Sequence, residues 1–214
     1  MSIFPVITDY SKAADASRTD TSAGAGQPIL KLSQVDGSFS IGAESEPVEH
    51  GTEFVVIPSS FQHGWICWVQ NRAIGLNVTP MWEPLPVQDM TENGPFDATD
   101  SQEGWSRVVG IQLVNRADGE AIVYKPSSMG GRGAVGDLFQ EWLSRAKVVE
   151  SDAQSAPVIA LSSKRYYSSK RARHFFNPVF TITEWLGEPD VLKLTAPESE
   201  TPKKVEQKRP SLTY

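Results

Sequence analysis

The residues best suited to chemistry lie in a basic segment in the last third of the chain. It combines five cations with aromatic side chains: Lys164, Arg165, Tyr166, Tyr167, Lys170, Arg171, Arg173, His174, Phe175 and Phe176. Single-stranded nucleic acid needs this mixture, because cations pair with phosphates and aromatic faces stack on bases, at about 1–3 kcal/mol per base. We predict that the cations contact phosphates and that Tyr166, Tyr167 and Phe175 stack on bases. The alternative is a solvated loop whose aromatic residues turn into the core.

Two further groups of residues would extend this surface. Trp65 and Trp68 lie on a predicted strand and point to opposite faces, so we expect one in the core and one as a second stacking platform. Two core tryptophans are the alternative. Lys125 and Arg132 flank a Gly/Ser segment and would extend the cationic track, with backbone amides at the start of the next helix able to hold one phosphate.

Nucleotide-cofactor binding is a weaker interpretation of the same region. The segment Gly131–Gly136 matches the G-x-G-x-x-G pattern, and it follows a strand and precedes a helix. The preceding strand, however, is predicted to pair in a hairpin rather than to begin a parallel unit. We therefore predict no cofactor and a flexible segment that leads into the helix.

Catalytic and metal-binding patterns were not found. Acid pairs such as Glu44 and Glu46 lie in acidic loops without the apolar surroundings that would raise a carboxyl pKa for acid–base work. One cysteine and three histidines are too few for a convincing zinc site. We expect Cys67 in the core and a hydrogen-bonding role for His63. The sequence therefore predicts no enzyme and no metal site.

Charge is distributed unevenly along the 214 residues. Residues 1–106 carry 4 basic against 14 acidic residues, net −10, and residues 107–214 carry 16 against 12, net +4, which sum to −6. The proline-rich loop from Trp82 to Glu103 contains six acidic residues and neither lysine nor arginine. We hypothesise that this acidic loop competes internally for the basic site. The acidic pI of about 5.1 argues against coating of duplex DNA by bulk charge.

Apolar periodicity predicts a mainly β domain at 28–186, between a flexible arm at 1–27 and a disordered tail at 187–214. Strands are predicted at Ser38–Ile41, Glu53–Pro58, Gly64–Val69, Asn71–Val78, Arg107–Asn115, Glu120–Lys125, Pro157–Leu161 and His174–Trp185. One helix is predicted at Ala134–Val148. Asp36-Gly37 predicts a hairpin turn, and Pro178 predicts an edge position or a bulge in the last strand. No apolar stretch reaches the 18 or so residues of a membrane helix, and Met1–Tyr10 lacks the pattern of a secretory signal. This order predicts an OB-fold-like five-stranded barrel, with its helix between the third and fourth barrel strands and extra N-terminal strands.

Three regions carry a family resemblance: Ser60–Trp68, Tyr124–Gly131, and Pro157–Leu161 together with Asn177–Trp185. Over about residues 28–186 the chain resembles bacteriophage-encoded OB-fold single-stranded DNA-binding proteins of phage replication. The resemblance implies a cytoplasmic protein of the infected bacterium without cofactor or catalysis. Many such proteins end in an acidic tail with a terminal aromatic residue that recruits partners. The segment Lys208–Tyr214 has the aromatic residue but mixed charge, which is a departure from that pattern.

The sequence thus predicts a single-stranded DNA-binding protein with little sequence preference, which supports phage DNA replication or recombination. Replication proteins and a homo-oligomer are left open as partners, and no membrane association is expected. The alternative is a non-enzymatic structural or interaction protein, such as a virion component or an inhibitor of a host factor. In that case the basic segment and the acidic loop would dock other proteins.

Overall fold

Ten β-strands and one long α-helix form the part of the chain that the structure describes. That part of the computed structural model comprises residues 27–70, 72–96, 103–148, 155–187, 190–191 and 194. The elements are β1 Leu30–Leu32, β2 Phe39–Ile41, β3 Glu46–Val48, β4 Glu53–Val56, β5 Gln62–Val69, β6 Arg72–Pro80, β7 Gly104–Asn115, β8 Ala121–Tyr124, α1 Met129–Val148, β9 Ser155–Ser168 and β10 Arg173–Gly187. The mainly β class and the helix predicted from the sequence are confirmed.

The strands form two sheets, and β7 lies in the middle of the larger one. The larger sheet has the order β10-β9-β4-β7-β5-β6, with β8 paired to β7, and the smaller one contains β1, β2 and β3. The first half of β7 pairs with β5 and the second half with β4 and β8. A short 3-10 turn at Pro58–Ser60 separates β4 from β5. These two strands therefore act as one bent strand that runs along β7.

Alternation along β4 divides the core into two layers. Phe54 and Val56 belong to the main apolar cluster, which includes the α1 side chains Leu138 and Trp142. Val55 faces the opposite way, into a smaller cluster. Burial of each large side chain of this kind contributes about 1.5–3 kcal/mol. The bent strand is consequently covered on both faces, and it forms a rigid base for the elements that pair with it.

Closure of the large sheet into a five-stranded OB barrel is not confirmed, because the described strands leave β8 and β10 unpaired with each other. The small sheet lies at this opening. Its start contacts β8, where Val123 N donates to Pro28 O at 2.9 Å, and its first turn contacts β10, where Phe176 N donates to Gln34 O at 3.1 Å. The β1–β2 hairpin and the residues just before it therefore lie between β8 and β10, the two strands that would have to pair directly in a closed barrel.

The helix begins at Met129, five residues before the predicted start, so the expected flexible segment is the first turn of α1. Ser128 Oγ caps it by accepting a hydrogen bond from Gly131 N at 3.2 Å. Glycine is a poor helix former, but close packing favours it here. Gly130 lies directly against Asn177, and a Cβ on Gly131 would lie 2.9 Å from the Tyr124 hydroxyl oxygen. Tertiary contacts thus override the local propensity.

The ordered part of the chain continues past the predicted boundary at residue 186. Asp190, Val191 and Leu194 are helical, and Val191 is fully buried in the smaller apolar cluster together with Val55. Part of the predicted disordered tail therefore completes the core. Gly187 of the predicted tail ends β10, and Gln27 of the predicted arm is also described. The other residues of the predicted arm and tail lie outside the described part of the chain.

The turn between β1 and β2 follows its Asp36-Gly37 signal, and the Asp36 carboxylate makes its stability pH-dependent. It accepts hydrogen bonds from Ser38 N at 3.0 Å and Ser38 Oγ at 2.7 Å. These bonds lower the pKa of Asp36 from 3.8 to about 2. Because the folded pKa lies below the unfolded one, the stabilisation is fully present above about pH 4 and is lost as the pH falls toward 2.

Asp36→Asn should therefore be less stable than the wild type at pH 6, and the difference should shrink between pH 4 and pH 2. Thermal unfolding of both proteins over this range measures the effect, and an NMR titration of the carboxyl group checks the pKa. A stability difference that stays constant from pH 6 to pH 2 would contradict the role of the Asp36 charge.

Candidate nucleic-acid interface

The predicted basic segment forms the end of the β9–β10 hairpin, which we call the basic finger (residues 164–176). Strand β9 pairs with β4 only around Ile159, and its later residues run past the start of β4. Beyond that point β9 and β10 pair only with each other, from Lys164↔Asn177 to Ser168↔Arg173. The strand predicted to end at Leu161 thus continues to Ser168. Strand β10 is the edge strand that Pro178 predicted.

The charges of the basic finger are accessible. All five of its cations are exposed: Lys164, Arg165, Lys170, Arg171 and Arg173. Within the described ranges, no carboxylate forms an ion pair with any of them. Tyr166 is 41% exposed and Tyr167 is 58% exposed. The finger therefore presents unpaired positive charge beside open aromatic rings.

Phe175 does not offer the stacking surface that its sequence position predicts, because it is only 4% exposed. The Tyr166 ring lies 6.0 Å away across the hairpin. The guanidinium groups of Arg173 and Arg171 lie 4.6 and 5.4 Å from the Phe175 ring centroid. These neighbours share one face of the hairpin and cover the ring. Phe175 instead holds the two arginines in place by cation–π attraction.

The two exposed tyrosines point to opposite faces of the finger, since they are consecutive residues of one strand. Tyr166 packs toward Phe175, whereas Tyr167 meets His174 edge-on at 5.2 Å. Bases stacked on Tyr166 and Tyr167 would therefore lie on different sides of the hairpin. The aromatic surface of the finger is therefore two-sided.

A second group of residues lies near the start of α1, and we call it the Trp65 patch (Trp65, Arg107 and Arg132). Trp65 and Arg132 were expected from the sequence, and Arg107 is an addition. Trp65 and Arg107 are directly opposed on β5 and β7, and the Arg107 guanidinium carbon lies 5.3 Å from the indole centroid. The indole Nε1 donates to Pro86 O at 2.9 Å. Arg107 therefore covers one face of Trp65, which is not the open stacking platform that we predicted. The sequence does not identify Arg107 as part of this group, because its pairing with Trp65 depends on the register between β5 and β7.

Arg132 adds a second cation to the Trp65 patch, whereas Lys125, which directly follows β8, is a separate half-buried cation. Burial lowers the pKa of Lys125. Burial and the nearby positive charge of Arg107 lower the pKa of Arg132. Both shifts mean that these cations lose water without gaining an anionic partner. The patch is thus positively charged and partly desolvated.

One contact connects the two surfaces. Asn177 pairs with Lys164 at the base of the finger, and its side chain lies directly against Gly130 in the first turn of α1. Arg132 follows two residues later in the same turn. The base of the finger and the Trp65 patch are therefore neighbours across this contact.

Trp68 is separate from both surfaces. It is half-buried and lies near the end of β5, where it is aligned with Gly104 of β7 and Ala73 of β6. That end of the bent β4–β5 strand is opposite the finger. The nearby β-bulge lies on β6, where Ile74 is the extra residue, and the pairing of β5 with β7 is regular through Trp68. Trp65 and Trp68 therefore keep the opposite orientations that alternation predicts.

The acidic loop is anchored on β5, β6 and β7, and this position does not favour competition at the finger. His63 Nε2 donates to Glu83 O at 2.9 Å, which confirms the predicted hydrogen-bonding role of His63. Asn77 Nδ2 donates to Val87 O at 3.1 Å and Trp105 Nε1 to Glu92 O at 2.8 Å. The described part of the loop therefore lies beside Trp65. Its residues 97–102 are outside the described ranges.

The described ranges were also considered for a reactive cysteine, a metal site and a membrane-spanning helix. Cys67 is buried, as predicted, and burial together with the charges of Glu92 and Glu103 raises the pKa of its thiol. No group of three His, Cys, Asp or Glu side chains there is placed to hold a metal ion. None of the helices in this part of the chain is long and apolar enough to cross a membrane. The basic finger and the Trp65 patch are thus the features that point to a ligand.

Comparison with other proteins adds no further identification. The chain was compared with protein-family models, curated proteins and solved structures, and none of them matches it. The functional inference therefore depends on the exposed charges and rings of the basic finger and on the Trp65 patch.

Proposed function

We propose that this protein binds single-stranded DNA with little sequence preference and that the basic finger is the principal contact. The observation that carries the proposal is the set of five exposed cations without carboxylate partners in the described ranges, placed beside two exposed tyrosines. Cations of this kind release counterions from a nucleic-acid backbone when they bind it. Tyrosine faces accept any base, which makes binding sequence-tolerant.

The packing of the finger supports specific roles for its residues. Arg171 and Arg173 are held on Phe175, so less side-chain freedom is lost when they contact phosphates. Lys164, Arg165 and Lys170 add charge along the same hairpin. Tyr166 and Tyr167 stack on bases from opposite sides. This arrangement requires a nucleic-acid strand whose bases can separate from one another, and the bases of a duplex are paired and stacked.

The same proposal includes a biological setting that the family resemblance suggests. The protein would act in phage DNA replication or recombination in the cytoplasm of the host, without a cofactor or catalysis. An OB-fold-like arrangement of β4 to β10 remains part of this proposal. The function does not depend on a closed barrel, because the finger extends beyond the strands that a barrel would use.

Fluorescence anisotropy with labelled oligo-dT and a matched duplex, at 50 and 200 mM salt, tests the proposal. We expect the single strand to bind at least roughly tenfold more tightly than the duplex. Five single-strand phosphate contacts at about 0.7 each predict a log–log salt slope near −3.5, or roughly a hundredfold weakening between the two salts. A duplex bound as tightly as the single strand, or no binding at 50 mM salt, would overturn the proposal. The second result would favour the protein-docking alternative.

A further inference from the structure

The two cations of the Trp65 patch come from different elements of the fold, because Arg107 lies on β7 and Arg132 lies in the first turn of α1. That turn packs on the segment after β8, since Gly131 lies directly against Pro126. The segment after β8 stays beside β7, where Val109 N donates to Pro126 O at 3.5 Å. Tertiary structure therefore concentrates positive charge that is dispersed in the sequence.

No ion pair within the described part of the chain neutralises these cations. Arg132 is half-buried, and Arg107 is exposed. Like charges that lose part of their hydration raise the free energy of the folded state unless an anion joins them. Such a cluster is therefore suited to a negatively charged ligand.

The patch is also organised before any ligand arrives. Arg107 is stacked on Trp65, and the indole is fixed by its hydrogen bond to Pro86. A guanidinium held in this way keeps its planar fork of donors directed, and that fork matches the oxygens of a phosphate. Less conformational freedom is then lost on binding.

We propose that Arg107 and Arg132 form a second anion site, separate from the finger tip, that binds a phosphate group. In its main form this inference rests on the proposed function: the phosphate belongs to a single strand that runs from the finger past the Asn177–Gly130 contact. A free nucleotide or inorganic phosphate offers the same chemistry and is the other source of the ligand.

The full chain with Arg107→Gln and Arg132→Gln tests the site, and a series of oligo-dT lengths identifies the ligand source. Short oligomers that occupy only the finger should bind the variant and the wild type equally. Longer oligomers should lose roughly tenfold in affinity for the variant, the effect of one charge-assisted contact. Their salt slope should fall by about 0.7 for each lost phosphate contact.

Arg145→Gln is the matched control, because Arg145 stacks on Trp185 at 4.6 Å and lies in the same helix. It removes an arginine–tryptophan pair away from the patch and should leave all affinities unchanged. Arg107→Gln alone provides a second variant if the double variant folds poorly. Loss of affinity for long oligomers in the control to the same extent would overturn the site.

Titration with inorganic phosphate and with thymidine monophosphate, followed by tryptophan fluorescence, separates failure of this site from failure of the proposed function. If the wild type binds no oligo-dT but shows a saturable phosphate response that the double variant lacks, the anion site stands and the proposed function fails. If wild type and double variant respond identically to every oligomer and to phosphate, the anion site is wrong, whatever the finger does.

Discussion

Replacement of Lys170, Arg171 and Arg173 by glutamine is expected to weaken oligo-dT binding by about a hundredfold at 50 mM salt. Three single-strand phosphate contacts at about 0.7 each should also reduce the salt slope by about 2. The cause is local, because these three exposed cations surround the turn at the tip of the finger. Anisotropy titrations of the full chain at several salt concentrations measure both quantities.

A charge-matched control separates this local effect from bulk charge. Lys31, Arg72 and Arg145 are exposed cations on β1, β6 and α1, outside the finger and the Trp65 patch. Their combined replacement by glutamine removes the same three charges and should change affinity by less than about threefold, because salt screens the attraction of charges that make no direct phosphate contact. Equal losses in both triple variants would indicate non-specific attraction. An unchanged affinity and slope in the finger variant would show that the finger is not the site.

Val191→Asp is expected to destabilise the protein by about 3–5 kcal/mol, the range for an unpaired charge left in an apolar interior. Val191 is fully buried in the cluster formed by Val55, Val158 and their neighbours. Typical domains are stable by only about 5–15 kcal/mol, so this change should remove much of the cooperative unfolding transition. Urea unfolding followed by tryptophan fluorescence measures the loss.

An exposed valine provides the control for this substitution. Val35 is 77% exposed, and Val35→Asp should change stability by no more than about 0.5 kcal/mol. The difference in stability between the two variants tests whether the segment near Val191 is part of the core or belongs to a disordered tail, as the sequence predicted. A wild-type unfolding midpoint for Val191→Asp would show that this segment does not cover the second face of β4.

Local patterns in the sequence predicted the features that depend on neighbouring residues. Alternation identified most of the strands, and Asp36-Gly37 identified the first turn. Composition located the basic and aromatic segment between the last two predicted strands, and the structure shows that it forms a hairpin in which Tyr166 pairs with Phe175. The predicted start of α1 was wrong because glycine is intrinsically unfavourable in helices, and tertiary contacts with Asn177 and Tyr124 favour it there.

The sequence by itself determined that the charge is segregated, that the fold is mainly β and that one segment is both basic and aromatic. Tertiary structure decided which of those side chains are accessible. Periodicity shows which residues of one strand share a face, but the register with a distant strand depends on the whole sheet. For that reason only the structure shows that Phe175 is buried, that Arg107 stacks on Trp65 and that Val191 completes the core.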